Sequence, residues 1–98
     1  MTIAKKQNGT AVTLEVEGRL DTITAPDLEK EIQGLADATE LTVDFAKLEY
    51  ISSAGLRVLL SALNVMNRQG SMTIKNGKPE IMEIFEVTGF VDILNIEK

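Results

Sequence analysis

Two adjacent serines, Ser52 and Ser53, stand directly before Ala54, Gly55 and Leu56, with Arg57 next in the chain. They join an apolar strand ending near Asp44 to a long helical pattern. Such a junction leaves first-turn N–H groups without intrahelical acceptors beside a serine hydroxyl, so an anionic group is electrostatically favoured there. The chemistry expected is phosphorylation of Ser53. Its phosphate would meet the N–H groups of Gly55 and Leu56 and the helix dipole, with Arg57 as a charge partner. Ser52 is the competing acceptor, placed outside the first turn. Gly55, read at the second helical position, costs about 1 kcal/mol of helix propensity relative to alanine. That cost predicts that a phosphate or a partner comes close to the backbone. The alternative is that Ser53 is only an N-cap.

Composition removes most other chemistry. The 98 residues contain neither cysteine nor histidine. Disulfides, thiolate nucleophiles, zinc sites of the common kinds and the Ser-His-Asp arrangement are therefore excluded. No G-x-x-x-x-G-K-[ST] or G-x-G-x-x-G run occurs, so a self-sufficient nucleotide enzyme lacks its usual phosphate loop. Asp21 and Asp44, both expected near strand ends beside the junction, suggest a metal pair of the receiver-domain kind. The chain has too few β/α units for that fold and lacks its paired acidic dipeptide, so capping or partner-facing roles are expected instead. No catalytic residue, metal or cofactor is assigned. Fifteen acidic against ten basic residues give a net charge of −5, which disfavours nucleic acid and anionic membrane surfaces. No run approaches the ~18 apolar residues of a membrane helix, and no leader pattern is read at the start. A cytoplasmic protein is expected.

The elements that must position the serines follow from periodicity. With 44% hydrophobic residues and no linker-like run, residues 1–98 are read as one domain. Thr2 to Gln7 and the alternating Val12, Leu14 and Val16 predict a hairpin, with Asn8-Gly9 as its turn. Gly18 to Ile23 forms a loop leading to Thr24, an expected N-cap with Asp27 in a capping-box position. Leu28, Ile32 and Leu35 share one helical face, with Gly34 near its end. Leu41, Val43 and Phe45 make the next strand. Leu56, Leu59, Leu60, Leu63 and Met66 then form the clearest helical stripe, opposite Arg57, Ser61, Asn64 and Arg68, and Gly70 is its expected left-handed C′ residue. Met72 and Ile74 predict a strand, Asn76-Gly77 a turn and Pro79 a helix start. Ile81, Ile84, Phe85 and Thr88 share a face of that helix, which Gly89 ends. Val91, Ile93, Leu94 and Ile96 are an apolar tail that must pack. The fold class is α/β: a small mixed sheet, antiparallel in its N-terminal hairpin and parallel beyond it, with three to four helices. Ligands and partners of such sheets meet the carboxyl ends of the strands, where the serine junction and the Gly18-to-Thr24 loop both emerge.

Four stretches together resemble the STAS-domain family, and more narrowly its bacterial anti-sigma-factor antagonists. They are Gly18-Arg19-Leu20-Asp21, the strand residue Asp44, Tyr50-Ile51-Ser52-Ser53-Ala54-Gly55-Leu56, and Ile84-Phe85-Glu86-Val87-Thr88-Gly89-Phe90. The resemblance covers nearly the whole chain, in the family's order. It implies partner switching: the unmodified antagonist binds an anti-sigma factor that is also a serine kinase with an ATP-binding fold. The kinase then phosphorylates the antagonist and releases it, and a PP2C-type phosphatase resets it. The family pattern Asp-Ser-(Ser/Thr)-Gly-Leu, aligned on Gly55-Leu56, makes Ser53 the acceptor and puts Ser52 where an acid is usual. Ser52 is thereby a minor alternative acceptor. The expected partner surface comprises Gly18, Arg19, Leu20, Asp21 and Thr22 with Ser52, Ala54, Gly55 and Arg57. The competing reading is a constitutive subunit of a larger lipid-transport or stress assembly, in which Ser53 is only a cap. An enzymatic role is not expected.

Overall fold

The architecture is taken from a computed structural model, which describes residues 1–97. Strand β1 (Thr2–Asn8) pairs antiparallel with β2 (Ala11–Leu20), and the remaining strands are parallel in the spatial order β1-β2-β3-β4-β5. Helix α1 (Ala25–Gln33) connects β2 to β3 (Glu40–Ile51), α2 (Ser53–Asn67) connects β3 to β4 (Ser71–Lys75), and α3 (Pro79–Thr88) leads on through a 3₁₀ turn at Phe90–Asp92 to β5 (Ile96–Glu97). Each successive crossover moves one strand in the same direction, and right-handed connections then put the helices on one face of the sheet. Burial follows. Val12, Leu14, Val16, Leu41, Val43, Phe45, Met72 and Ile74 are buried, while Thr13, Glu15, Thr42, Asp44, Thr73 and Lys75 alternate with them on the open, half-buried face.

The mixed α/β sheet with its antiparallel first strand at one edge is the expected one, and three α-helices cover it. Several local expectations are corrected. The hairpin turn is Gly9-Thr10, not Asn8-Gly9: Asn8 pairs with Ala11, and Gly9 takes the left-handed φ of 62°. The apolar tail supplies a fifth strand, because Ile96 and Glu97 pair with Ile74 and Lys75 and bury Leu94 behind them. Gly70 is not left-handed. Its lack of a side chain lets the chain pass the Thr39 carbonyl, which a Cβ would strike and which accepts from the Ser71 amide at 3.0 Å. Nearby, the Gln69 side-chain amide donates to the Leu35 and Ala38 carbonyls, closing the segment after α1. Gly89 does end α3 at φ 79°, and Pro79 begins it.

The largest correction concerns the two strands that carry the junction. β3 does not end near Asp44 but runs on to Ile51, and β2 runs through Gly18 to Leu20. Two register shifts, between Glu15 and Glu17 and between Gly18 and Arg19, each admit one extra residue on β3. Such bulges sharpen the local twist and re-aim side chains. Gly18, at φ 99°, sits at the second shift, a conformation a side chain disfavours. In α2 the apolar face is broader than a single stripe, since Val58 and Ala62 join Leu56, Leu59 and Met66 in full burial. The helix rests on β3 and β4 and against α1 at the same time.

Candidate functional site

The ends of β2 and β3 are cross-linked where the helices begin. Arg19 pairs with Tyr50 and Leu20 with Ile51, and the Ser52 amide donates to the Leu20 carbonyl at 2.9 Å. The loop after β2 and the start of α2 are thus joined through the backbone and lie side by side. Arg19 lies over the Tyr50 ring with its guanidinium carbon 4.2 Å from the centroid, a cation–π geometry. Its Nε is 3.8 Å from Asp21 Oδ2. Tyr50 was not among the residues expected at this surface, and the exposed Ile23 lies in the expected Gly18-to-Thr24 loop without having been singled out. The two extra β3 residues together leave Tyr50 on the same face as Asp44, and between them they turn Leu48 into the core; neither bulge carries a signal in the sequence.

The loop is organised by Asp21, not by a capping box on Thr24. Thr24 has helical φ/ψ and makes no side-chain cap bond to α1. Asp21 Oδ1 instead accepts from the Ile23 amide at 3.0 Å and the Thr24 amide at 3.1 Å. The Thr24 hydroxyl turns back to donate to the Arg19 carbonyl at 2.8 Å and accepts from the Asp21 amide at 2.9 Å. These bonds hold the Asp21 carboxyl below its ordinary pKa. The Thr24 amide is the main cause, and the Ile23 amide, the Thr24 hydroxyl and Arg19 also lower it, while desolvation acts in the opposite direction. Asp44 is not part of this site. β3 continues past it to Ile51, about 20 Å of strand at ~3.3 Å per residue. Its Oδ1 accepts from the Ala46 amide and from Asn76 Nδ2, bracing the first bulge. Among the described residues no group of three acidic side chains could hold a metal ion.

At the junction itself, Ser52 is the N-cap residue and Ser53 is the first residue of α2. Gly55 is therefore third, not second. The Leu56 amide is taken by the Ser52 carbonyl at 3.0 Å, so it is not free to meet a phosphate as expected. The amides of Ser53, Ala54 and Gly55 are the ones without an intrahelical acceptor. The Ser52 side chain does not cap them: its Oγ is buried and, among the described residues, has no hydrogen-bond partner. The Ser53 side chain is exposed, and Arg57, four residues on and hence on the same helix face, is exposed as well.

Gly55 is explained from inside the molecule. It is buried, and a Cβ there would lie 2.7 Å from Leu20 Cγ and 2.9 Å from Ile51 Cγ1. The glycine admits Leu20 to the helix backbone, not a phosphate or a partner. Leu20, fully buried, likewise offers no surface to a partner. The other expected contact positions divide by exposure: Arg19, Thr22, Ser53 and Arg57 are exposed, and Gly18, Asp21, Ser52 and Ala54 are half-buried. Thr22, Ala25, Pro26 and Glu29 from the α1 side face Ala54, Arg57, Val58 and Ser61 of α2 across a groove of about 320 Å³. Among the described residues no helix is long and apolar enough to cross a membrane.

Comparison with known proteins agrees with this geometry. The family model described as the STAS domain matches residues 2–98. A candidate anti-sigma factor antagonist, BtrV of Bordetella bronchiseptica, is 37% identical over 84 residues, covering 83% of this chain and 72% of that protein. The anti-sigma-B factor antagonist of Bacillus subtilis is 28% identical over 93 residues, covering 93% and 85%. The solved structure of the anti-sigma factor antagonist SpoIIAA in its unphosphorylated form superposes with a TM-score of 0.78 at 15% identity, covering 99% of this chain and 88% of that one. An anti-sigma factor antagonist from Mycobacterium paratuberculosis gives 0.87 at 21% identity, covering 97% and 83%. At these identities the two structures speak for the fold alone.

Proposed function

Because the chain belongs to the STAS-domain family, we propose that it is an anti-sigma factor antagonist acting by partner switching, with Ser53 as its phosphorylation site. The unmodified protein binds an anti-sigma factor that is also a serine kinase. Phosphorylation of Ser53 ends that binding, and a PP2C-type phosphatase restores it. The protein itself works as a binding module and not as an enzyme. The relatives named above support the first part of this reading.

The observation that carries the second part is the contrast between the two serines. The Ser53 side chain is exposed at the first position of α2, whereas the Ser52 Oγ is buried. A kinase can approach the first hydroxyl without unfolding the junction. Once formed, the phosphate sits beside the free amides of the first turn and the positive end of the helix dipole, with Arg57 one turn away. The fold accommodates it in place. It adds about −1.5 to −2 charges to a domain of net charge −5, on the surface meant to lie against a partner. Desolvating that charge at an interface costs several kcal/mol unless a cation faces it, enough to lower affinity by orders of magnitude.

The direct test is to incubate the protein with its cognate kinase and ATP and weigh it. A single increment of about 80 Da, the mass of HPO₃, that is absent from Ser53→Ala supports the switch. No increment, with binding to the kinase retained, would mean a constitutive subunit in which Ser53 only begins a helix.

A further inference from the structure

We infer that Ile23 is the apolar anchor by which the protein holds its kinase partner, and that Asp21 keeps it presented; the inference rests on the partner-switching reading above. Ile23 is 86% exposed. A single exposed apolar residue needs no explanation in a mobile loop. This one is in a loop whose backbone is fixed on every side. Its own amide and that of Thr24 are held by the Asp21 carboxylate, the Ala25 amide donates to the Asp21 carbonyl at 2.8 Å, and the Thr24 hydroxyl ties the loop back to Arg19. Turning Ile23 inward onto the core would require breaking these bonds. A side chain presented rigidly loses little freedom on binding, which is what an interface anchor requires.

Its position specifies the occupant. Thr22, next to Ile23, lines the groove between α1 and α2 together with Ala54, next to Ser53. Ile23 and Ser53 are thus each the chain neighbour of a groove residue, on two segments joined by the Ser52 amide and the Leu20 carbonyl. The groove walls include apolar Ala25, Pro26, Ala54 and Val58, with Glu29 on the α1 side and Arg57 on the α2 side. A fitting protein partner has an apolar pocket for Ile23. Beside it runs a ridge that enters the groove, offering a donor to Glu29 and an acceptor to Arg57. A lipid surface is not matched, since the domain is acidic and Arg19 beside the loop is engaged with Tyr50 and Asp21. Phosphorylation of Ser53 would add charge at the rim of that groove, leaving Ile23 exposed but the approach beside it blocked.

The test is calorimetric binding of the full chain to its cognate anti-sigma factor kinase without ATP. Wild type is compared with Ile23→Ser, Ile23→Leu and Val87→Ser, the last at an equally open apolar residue on α3 (80% exposed). Circular dichroism and size exclusion accompany each variant. The expected result is that Ile23→Ser weakens binding by at least ~10-fold, Ile23→Leu retains it within ~3-fold, and Val87→Ser leaves it unchanged, all with wild-type melting. Wild type that binds while Ile23→Ser binds equally well overturns the anchor alone. A wild type that fails to bind the kinase overturns the partner-switching reading, and the anchor with it. An Ile23→Ser variant that dissociates a self-associated form without changing kinase affinity assigns the residue to contacts between copies of this chain and overturns the inference.

Discussion

Leu20 occupies the space that a side chain on Gly55 would need, with the Leu20 Cγ 2.7 Å from where that Cβ would stand. This contact locks the end of β2 to the first turn of α2 from the inside, while the Ser52 amide and the Leu20 carbonyl lock them through the backbone. Packing within the chain therefore positions the serine surface.

Gly55→Ala is expected to destabilise the domain. Alanine gains about 1 kcal/mol of helix propensity over glycine, but forcing a methyl against Leu20 and Ile51 costs about 1–3 kcal/mol. Both contacts involve branch or mid-chain carbons and not flexible tips, so the upper part of that range applies. Urea denaturation should show a lower midpoint, and a higher one would mean that the glycine answers to a partner after all.

Ser52→Ala is expected to break the usual rule for N-caps. Losing a capping hydroxyl ordinarily costs about 1 kcal/mol. Here the Oγ is buried and bonded to nothing, so its removal relieves an uncompensated polar group, and stability should be unchanged or higher by up to ~1 kcal/mol. A loss of 1 kcal/mol or more in thermal or urea unfolding would show that the hydroxyl caps the helix in solution.

Ser53→Asp should separate stability from binding. An acid at the first helical position interacts favourably with the dipole, so the domain gains about 0.3–1 kcal/mol. Affinity for the kinase partner should fall at least ~100-fold, about 2.7 kcal/mol, while Ser53→Ala binds and resists release. An aspartate variant that binds like wild type would count against charge blocking.

The loop that carries Ile23 should respond to acid. The folded-state pKa of Asp21 lies below its ordinary value of 3.8. Its contribution is therefore fully present above pH 3.8 and is lost as the pH falls below that value, through the folded-state pKa. Asp21→Asn retains an Oδ1 acceptor for the Ile23 and Thr24 amides but has no proton to gain. Amide exchange of those two residues, compared between wild type and Asp21→Asn, should diverge only in that acidic window. Identical pH profiles would show that the carboxylate does not order the loop.

Element types were legible because burial imposes periods. Val12, Leu14 and Val16 repeat every second residue and Leu56, Leu59, Leu63 and Met66 every third or fourth, and each set occupies one face. The crossover rule then orders the strands. The serine junction was legible too, since Ser-Ser-Ala-Gly-Leu has the residues a helix start uses. What could not be read were features made by residues distant in the chain. The bulges of β3 that turn Leu48 inward depend on its register with β2. The short β5 depends on the edge that β4 leaves open.

The same division runs through the site. The amino-acid order alone determined that the chain carries no cysteine or histidine chemistry, that its sheet is mixed, and that two serines precede a helix. Only the tertiary structure decided which serine is first in that helix, which hydroxyl is buried, and that Gly55 serves Leu20. The reason is physical. A hydroxyl's exposure and a glycine's necessity depend on the atoms that arrive beside them, and at this junction Leu20 comes from another strand.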